Sequence, residues 1–562
     1  MHSHKIVKVS PQNPILQEKL SSELKISKVI AQLLINRSIQ NVEEARKFLQ
    51  PNPKNLHDPF SFHGMEKAVS IIRKAIKNKE KIMVFGDYDV DGITAAALVK
   101  ETIMKLGGDC LHYLPHRIKE GYGLSKDIAN IVKEKKVKLL ITVDCGTSNH
   151  GQIEELRHLG IEVVITDHHE QSSMHLPCAS SIINPKTKAS SYKFRDLAGV
   201  GVAYKLCQAL TEKMLLDDLD LVSLGTIADS VSLTGENRIF AKEGLKRFPQ
   251  TKREGLRSLI RNAGIENKKF TSTYISFILA PRINASGRMD SAELSLKLLM
   301  AKDREEADEL AKALESFNRK RQQVESKILE EAQDLIEKEV NFKEHKIIVI
   351  AKEDWHQGVL GIVASKLADR FYRPAIVISL SENLCKGSAR SIKNFHLFEA
   401  LVDCKDLLDT FGGHSHAAGL LISKANIDDF RKSINKLANQ KLVLEDLLPS
   451  IDIDVDLPLS DLNEKLVLQL EALEPFGMAN PEPLFFTRNL KVKGQMQILN
   501  RATIKFWVSD GQITFPAIGF GMSSLKDSLL SSNSFDLVYS PRIDSWRGDS
   551  SIILEIRDIF IR

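Results

Sequence analysis

One segment constrains the fold of this chain more than any other: residues 86–92, which read Gly-Asp-Tyr-Asp-Val-Asp-Gly. They directly follow the apolar run 82–85, which favours a short buried strand. The three alternating carboxylates of Asp87, Asp89 and Asp91 repel one another unless a cation lies between them. The segment therefore predicts a divalent-metal site made of oxygen ligands.

Two simpler explanations of the acidic segment compete with this one. An EF-hand calcium loop needs a Glu at its twelfth position and a helix on each side. Counted from Asp87, the twelfth residue is Leu98, and the preceding run is typical of a strand. The other explanation is a turn whose carboxylates are simply solvated. We favour the metal site because two further segments repeat the pattern.

The repeats are short apolar runs that end in Asp or His. Residues 139–143 lead into Asp144, and residues 163–166 lead into Asp167, His168 and His169. In open parallel sheets, ligands bind beyond the carboxyl ends of the strands. Three separate stretches are therefore expected to converge on one site.

Strand-like and helix-like segments alternate from residue 65 to residue 183, which predicts a doubly wound parallel sheet. The helix expected from Ile93 begins next to the acidic segment, and its N-terminus favours anions. Residues 219–230 have helical periodicity and include Asp229. This Asp is either a capping residue or faces the site, and the sequence alone does not decide between them.

Composition limits the class of protein. The chain has 43% hydrophobic and 27% charged residues and a net charge of +5, which permits a nucleic-acid partner without requiring one. Its six cysteines are scattered without a Cys-x-x-Cys pair, which suits a reducing cytoplasm. No apolar stretch is long enough to span a bilayer, and no signal core follows the N-terminus. We expect a cytoplasmic protein that does not associate with a membrane.

No Gly or Pro occurs between Arg288 and Gln357. An apolar stripe runs through a charged background, which predicts one long helix. Its members are Leu310, Leu314, Phe317, Val324, Ile328 and Leu335. A coiled-coil surface for a partner is the alternative, but the stripe is single and short, so we favour a spacer packed on its own domains.

A second α/β unit follows, with strands expected at 347–350 and 375–378 around a helix at 359–370. It contains two Gly-rich elements, 386–391 and 412–419. Small residues let backbone N–H groups approach an anion, and Arg390 and His414 add charge-assisted bonds to it. Two such elements in one unit predict phosphate binding.

Short β-rich segments dominate from about residue 450, which predicts a small barrel. In residues 503–508, Ile504, Phe506 and Val508 share one face, while Lys505 and Trp507 share the other, with Arg501 in register. An outward row of this kind suits a groove that stacks single-stranded bases. Alternatively, a neighbouring domain covers Trp507.

Carboxylates and histidines without thiolates suit Mg²⁺ or Mn²⁺. The chain has no P-loop, no Gly-x-Ser-x-Gly and no His-Glu-x-x-His. Two divalent ions clamp the attacking and leaving oxygens of a phosphoryl displacement, so the expected reaction is phosphoester hydrolysis. Asp144, on the central strand, is the candidate for bridging both ions.

These motifs together resemble the DHH phosphoesterase superfamily. The resemblance rests on residues 87–92, 143–146, 167–169 and Asp229, and on the Gly-Gly-His-Ser-His-Ala-Ala-Gly element of the second unit. Residues 280–288 and 473–483 are similar to the superfamily's bacterial exonucleases specific for single-stranded DNA. The match runs in order along almost the whole chain.

The resemblance implies two-metal hydrolysis of single-stranded DNA from the 5′ end, with release of 5′-mononucleotides. It assigns Asp87 either as a further ligand or as a carboxylate behind the ligands, and His169 to orient a phosphate or assist the leaving group. The implied metal ligands are Asp89, Asp91, Asp144, His168 and Asp229. The residues implied to grip DNA are Arg282, Asn284, Arg288, Ser388, Arg390 and His414.

The resemblance also implies a role in recombination and repair, and contacts with a single-strand-binding protein and a RecQ-type helicase. We expect a monomer with helices at 1–60, a catalytic domain at 61–290, a connecting helix at 291–342, an associated α/β domain at 343–447 and an OB-fold at 448–562. Some relatives have an extra C-terminal domain, for which this chain is too short. Two rival functions stay open: a hydrolase of very short oligonucleotides or nucleoside bisphosphates, and a non-catalytic single-strand-binding scaffold.

Overall fold

The N-terminal segment is a short strand followed by three helices. The structure is a computed structural model that describes residues 5–171, 175–382, 384–500, 502–544 and 551–562. Asn13, Ser27 and Asn41 each accept a backbone N–H from the first turn of the helix they precede, which sets the three helix starts. The elements are β1 (Ile6–Val9), α1 (Pro14–Leu24), α2 (Lys28–Asn36) and α3 (Val42–Leu49).

A five-stranded parallel sheet follows, with the strand order β3-β2-β4-β5-β6. Its central strands β2 and β4 are buried along their whole length, which explains their unbroken apolar runs. The expected alternation of strands and helices is confirmed. The elements are α4 (Met65–Lys77), β2 (Ile82–Gly86), α5 (Val90–Lys105), β3 (Cys110–Tyr113), α6 (Ile128–Glu134), β4 (Leu139–Val143), α7 (His150–His158), β5 (Glu162–Thr166) and β6 (Ser181–Ile183).

Helices then complete the first unit. A π-helical turn at 275–279 joins α12 to α13. The helices are α8 (Gly199–Thr211), α9 (Leu219–Ala228), α10 (Gly235–Leu245), α11 (Glu254–Asn262), α12 (Ser272–Tyr274), α13 (Ala280–Met289) and α14 (Glu293–Met300).

The long connecting helix differs from the expectation of a single helix from residue 291. The chain breaks after α14, and Asp303 starts a new helix, α15 (Arg304–Glu339), by accepting the N–H of Glu306. The first half of α15 packs in the core of the first unit through Ala307 and Leu314, and its second half packs on the next unit. Its apolar face is therefore covered by this chain, in agreement with a spacer rather than a coiled-coil surface.

The second unit is a mixed sheet with the strand order β10-β11-β9-β8-β7. Only β7 and β8 are parallel, and both Gly-rich elements lie in its strands. The elements are β7 (Ile348–Glu353), α16 (Leu360–Phe371), β8 (Ala375–Leu380), β9 (Leu384–Arg390), α17 (Leu397–Asp403), β10 (Thr410–Gly413), β11 (Ala417–Ser423) and α18 (Ile427–Lys441).

The C-terminal unit is a closed barrel, as expected. Its strand order is β13-β14-β15-β16-β18-β17, and pairing of β14 with β17 closes it. The elements are β12 (Ser450–Ile453), β13 (Val455–Asp456), α19 (Glu464–Glu471), β14 (Phe485–Leu499), β15 (Thr503–Ser509), β16 (Thr514–Gly519), α20 (Lys526–Ser531), β17 (Phe535–Asp544) and β18 (Ser551–Ile561).

The two ends of the chain share one core. Apolar residues of α1–α3 pack with those of the barrel, and β1 pairs in parallel with β12. Buried Arg238 of α10 locks this assembly to the first unit, because its guanidinium donates to the carbonyl oxygens of Phe48, Leu473 and Glu474. Among the described residues, no helix combines the length and apolarity needed to cross a membrane.

Candidate metal centre and substrate cleft

Acidic and histidine side chains gather at the carboxyl edge of the first sheet. Strands β2, β4 and β5 are neighbours and end at Gly86, Val143 and Thr166. The expected convergence of three stretches is thus present. Asp229, which follows α9, lies in the same cluster, so its side chain faces the site rather than only capping a helix.

His168 is at the centre of the cluster. Its Nε2 lies 3.1 Å from Oδ1 of Asp144, 3.7 Å from Oδ2 of Asp229 and 3.9 Å from Oδ2 of Asp91. Three groups each have ligand atoms within 4.8 Å of one another. They are Asp91 with His168 and Asp229, Asp87 with Asp89 and Asp144, and Asp144 with His168 and His169. Asp144 and His168 each belong to two of the groups, and of the two only the carboxylate of Asp144 has two oxygens with which to bridge two ions.

Helix N-termini orient the second and third carboxylates of the acidic segment, those of Asp89 and Asp91. Asp89 caps α5 by accepting the N–H groups of Asp91 and Gly92. The carboxylate of Asp91 accepts the N–H of Gly199 at 2.6 Å and that of Val200 at 2.8 Å, at the start of α8. These bonds fix both side chains before any ion binds.

Glycines make room for the cluster. A Cβ on Gly92 would lie 2.6 Å from backbone atoms of Asp87, and one on Gly199 would lie 2.5 Å from Oδ1 of Asp144. Asp144 itself adopts a left-handed backbone conformation, with φ of 61°. Strain of this kind is typical of functional positions.

Burial and mutual repulsion keep these carboxyl groups from ionising without a cation. Burial, followed by the charge of Asp89, raises the pKa of Asp87 to about 8 and that of Asp91 to about 7. Burial and the neighbouring carboxylates hold the pKa of Asp144 and Asp229 well above the usual range. Burial lowers the pKa of His168 to about 3, so its imidazole is neutral and free to act as a ligand.

The donor set fits a divalent metal. Oδ1 of Asp87, Oδ1 of Asp144 and Nε2 of His168 are buried, and none makes a hydrogen bond within the described part of the chain. Buried polar atoms normally have partners, and cations bound at the ligand groups to which these atoms belong would supply them. Oxygen and imidazole ligands without thiolates suit Mn²⁺ or Mg²⁺.

The carboxylate of Asp167 positions the imidazole of His169 by contact with its Nδ1 atom. Its carboxylate accepts the N–H groups of Thr147, His168 and His169, and it lies 2.8 Å from Nδ1 of His169. Burial alone would lower the pKa of His169, but the hydrogen bond and charge of Asp167 outweigh it, so the pKa is raised. The hydroxyl of Tyr122 lies 2.9 Å from the same Nδ1. Both contacts are thus made at Nδ1 of His169.

A basic wall faces the metal cluster. It consists of Arg117, Arg288, Lys386 and Arg390. None of the four has a carboxylate within 4.0 Å among the residues that the structure describes. Burial and the neighbouring guanidinium groups lower the pKa of Arg288 to about 9 and also lower that of Arg390.

The basic wall lines a cleft of about 800 Å³ between the two α/β units. Tyr88 and Tyr122 are also on its surface, next to the metal cluster. Uncompensated guanidinium groups require an anionic ligand, and phosphate is the anion that they bind best in a fork geometry. The cleft therefore fits a phosphodiester chain.

The second unit contributes part of the expected DNA grip. Ser388 and Arg390 lie on β9 and line the cleft, where a Cβ on Gly361 would lie 3.0 Å from Oγ of Ser388 and 3.1 Å from Nη2 of Arg390. Gly361 is in the first turn of α16. His414 is exposed in the turn between β10 and β11 and is not part of the cleft wall.

Helix α13 carries the other expected DNA contacts. Arg288 lines the cleft, and its Nη1 donates to the carbonyl of Gly358. Arg282 instead pairs with Glu315 of α15 at 2.8 Å. The Oδ1 atom of Asn284 is buried without a hydrogen-bond partner in the described residues. Arg282 is thus committed to holding helices together, and its contact with DNA stays a prediction.

The barrel strand β15 has the expected alternation. Ile504, Phe506 and Val508 are buried, while Trp507 is 50% exposed and Lys505 is half-buried. No domain in the described part of the chain covers the indole, so the alternative of a covered Trp507 is wrong. Arg501 lies outside the described residues.

Comparison with known proteins identifies the family. Family models match residues 81–226 (DHH family, N-terminal domain), 344–440 (DHHA1 domain) and 453–558 (RecJ OB domain). The single-stranded-DNA-specific exonuclease RecJ of Bacillus subtilis (strain 168) is 38% identical over 544 residues, which cover 96% of this chain and 69% of that protein. The chain belongs to the RecJ family. RecJ of Haemophilus influenzae is 35% identical, over 92% of this chain and 93% of that protein.

Solved RecJ structures extend the match to the fold and the metals. RecJ of Thermus thermophilus in complex with Mn²⁺ has a TM-score of 0.85 at 28% identity, covering 100% of this chain and 80% of that chain. The same protein in complex with Mg²⁺ has a TM-score of 0.79 at 26% identity, covering 99% and 78%. The expected fold, the exonuclease branch of the superfamily and the choice of Mn²⁺ or Mg²⁺ are confirmed.

Sequence reasoning missed three residues of this RecJ-family site: Arg117, Tyr122 and Asp167. Arg117 and Tyr122 lie in an irregular segment between β3 and α6, where no periodic pattern indicates which side chains point inward. Asp167 was visible beside the two histidines, but only the structure gives it partners of its own. The individual roles of the expected ligands and DNA contacts stay predictions.

Proposed function

We propose that this chain is a metal-dependent exonuclease that hydrolyses single-stranded DNA from the 5′ end and releases 5′-mononucleotides, in DNA recombination and repair. One observation carries the proposal. In a chain of the RecJ family, a buried cluster of carboxylates and histidines lies beside the basic wall, whose arginines have no carboxylate partner among the described residues. A cation bound by the carboxylates and histidines and a phosphodiester bound by the arginines would satisfy both groups.

The proposed ligands are Asp89, Asp91, Asp144, His168 and Asp229, with Asp87 as a further ligand or a carboxylate behind them. Two divalent ions are proposed because Asp144 belongs to two of the ligand groups. When bound, the ions supply the positive charge that activates the attacking water and stabilises the leaving oxygen.

The chain's own groups would hold and protonate the substrate. Arg117 and Arg390 hold phosphates across the cleft from the carboxylates. His169, protonated over a wider pH range because of Asp167, donates to a phosphate oxygen or to the leaving oxygen from Nε2. A terminal phosphate carries more charge than an internal one, and this wall of arginines supports recognition of a strand end.

The barrel supports action on long strands. Its exposed Trp507 and the neighbouring Lys505 suit stacking of bases and contact with the backbone. We propose the domain limits 1–60, 61–290, 291–342, 343–447 and 448–562, with the first and the last packed into one core. The six cysteines form no disulfide, which supports a cytoplasmic location. The complete site within one chain supports a monomer, with a single-strand-binding protein and a RecQ-type helicase as proposed partners.

The test is a time course with single-stranded DNA labelled separately at its 5′ and 3′ ends, in Mn²⁺, Mg²⁺ or chelator. We expect labelled mononucleotide to be released at once from the 5′ end only, and only with metal. Asp144→Asn should abolish this release while retaining DNA binding. Binding without metal-dependent release in the unmodified chain would favour the scaffold.

Deleting residues 448–562 together with 1–49 separates the remaining rival; both segments are removed because α1–α3 share one core with the barrel. The exonuclease should lose activity on long strands and keep it on very short ones. A hydrolase of short oligonucleotides or bisphosphates would show little activity on long strands even before the deletion.

A further inference from the structure

An exposed aromatic ring lies at the outer end of the helix that reaches the cleft. Phe277 is 76% exposed, in the π-helical turn 275–279 that leads into α13. Single exposed apolar residues are common, so exposure alone indicates nothing. A π-helical turn, however, is rare and often occurs at functional sites.

Helix geometry connects this ring to the active site. The π-helical turn runs directly into α13, so Phe277 and Arg288 lie eleven residues apart on one continuous helical segment. Arg288 at the inner end of this segment lines the cleft beside the metal cluster. Eleven residues at about 1.5 Å each place Phe277 roughly 16 Å farther out.

The outer end of this segment opens onto the barrel. Phe277 borders a cavity of about 380 Å³ between the first unit and the barrel. Hydroxyl groups of Thr273 and Ser276 also line the cavity, as does Arg542 of β17. The cavity thus adjoins both the barrel and the helical segment that ends in the cleft.

The cavity has a different chemistry from the cleft. Its arginine, Arg542, already pairs with Glu482 at 2.7 Å and with Glu555 at 2.6 Å, and Glu474 lies on the same wall. The cavity therefore offers little net attraction to phosphate. It does offer an uncovered ring face, which is what a base requires.

We propose that Phe277 stacks a base of the single strand between the barrel and the cleft. The proposal rests on the proposed function and names a further contact for the same substrate. The distance of roughly 16 Å corresponds to about five nucleotides when bases stack 3.4 Å apart, and to fewer when the strand is extended. Phe277 thus contributes only to substrates that are long enough to reach it.

The experiment compares KM and kcat on strands of about 20 and about three nucleotides for the unmodified chain, Phe277→Ala and Phe277→Trp. Stacking contributes about 1 to 3 kcal/mol per base, so the alanine variant should have a KM roughly 10-fold higher on the long strand. Its KM on the short strand and its kcat should not change, and tryptophan should preserve the KM. Phe60→Ala, which removes an exposed ring elsewhere, is the matched control.

A second measurement locates the contact. Removing single bases from the long strand should raise the KM of the unmodified chain at one or two positions about three to five nucleotides from the attacked end. The alanine variant should lose this positional effect. Because the ring is exposed, the alanine variant should have the same apparent melting temperature as the unmodified chain.

An equal KM on the long strand for alanine and phenylalanine would overturn the proposal, as would an equal rise on both strands. These results require a chain that degrades DNA. If the unmodified chain degrades neither strand with metal, the proposed function fails instead.

Discussion

The carboxylates of the metal cluster, here called the acidic wall, and the neighbouring basic wall carry opposite charges and are built by the same principle. In the acidic wall, buried carboxylates with raised pKa values have no lysine or arginine partner within 4.0 Å among the described residues. In the basic wall, to which both α/β units contribute, the buried guanidinium groups of Arg288 and Arg390 have lowered pKa values and no carboxylate partner in the same part of the chain. Each wall is unfavourable by itself, and the two do not neutralise each other by direct contact.

The difference between the walls lies in rigidity. Backbone N–H groups hold the carboxylates of Asp89 and Asp91. Arg390 donates only to the carbonyl of the preceding residue, Ala389, as far as the described residues show. A fixed cluster suits ions that demand a set geometry, while arginines without a carboxylate partner among the described residues can bind one phosphate after another as a strand advances.

The largest effect is expected from a substitution in the acidic wall. Asp229→Ala removes a proposed ligand that makes no structural hydrogen bond in the described chain, so the fold should survive. Loss of one metal contact worth about 4 kcal/mol lowers kcat/KM roughly a thousand-fold. The measurement is release of mononucleotide from single-stranded DNA in Mn²⁺.

Asp217→Ala is the control for this change, since Asp217 is an exposed aspartate nearby in the chain that pairs with Lys252. It should retain full activity. Retention of more than about a tenth of the activity by Asp229→Ala would show that Asp229 is not a ligand.

A substitution in the basic wall should reduce activity less. Arg390→Gln removes one charge-assisted phosphate contact, worth about 1.5 to 3 kcal/mol, so KM should rise roughly 10- to 100-fold with a smaller change in kcat. The slope of log affinity against log salt should decrease by about 0.7, the value for one phosphate contact on a single strand.

Two further variants sharpen the test of this wall. Arg390→Lys keeps the charge but loses the fork, so its salt slope should be preserved while its KM still rises. Arg304→Gln, which removes an exposed arginine of α15, should change neither. An unchanged salt slope in Arg390→Gln would mean that Arg390 does not contact a phosphate.

Local patterns explain why the acidic wall could be predicted from the sequence and the basic wall only in part. Each proposed ligand follows a buried strand or a helix within a few residues, and parallel strands end at the same edge, so short patterns indicate the cluster. Arg117 and Tyr122 reach the cleft from an irregular segment. Arg282 lies in the segment 280–288 that predicted DNA contacts, but it pairs with Glu315. This contact joins two helices, and no local pattern encodes it.

The same reasoning applies to the fold. The parallel sheet follows from unbroken apolar runs that alternate with helical segments, and the barrel follows from a series of short β-rich segments. The union of α1–α3 with the barrel depends on contacts such as Arg37 with Asp454, more than four hundred residues apart in the chain. The buried face of α15 includes Asn318, Arg321 and Glu325, so its apolar stripe indicated only part of the packed surface.

The third prediction concerns the residue between the walls, His169. Its pKa is raised by Asp167, so Asp167→Asn should lower that pKa. If His169 donates a proton, activity falls as pH rises through its pKa, and the alkaline limb should move to lower pH in the variant. The measurement is kcat against pH, with about a 10-fold loss at the optimum. An alkaline limb that does not move would contradict proton donation by His169.

The smallest effect concerns stability without metal. The pKa values of about 8 for Asp87 and about 7 for Asp91 exceed the ordinary 3.8, so the folded chain keeps protons that the unfolded chain has lost. Their contribution to the free energy of unfolding is complete below pH 3.8 and is lost as pH rises through 7 to 8.

Mn²⁺ replaces those protons, so the rise in apparent melting temperature on adding Mn²⁺ should be larger at pH 8 than at pH 6, by roughly 5 °C. Thermal melts with Mn²⁺ and with chelator at both pH values measure it. Asp87→Asn, which is neutral at every pH, should reduce the difference. An equal rise at both pH values would mean that the carboxylates are already ionised in the metal-free chain, and that the acidic wall is less strained than its burial implies.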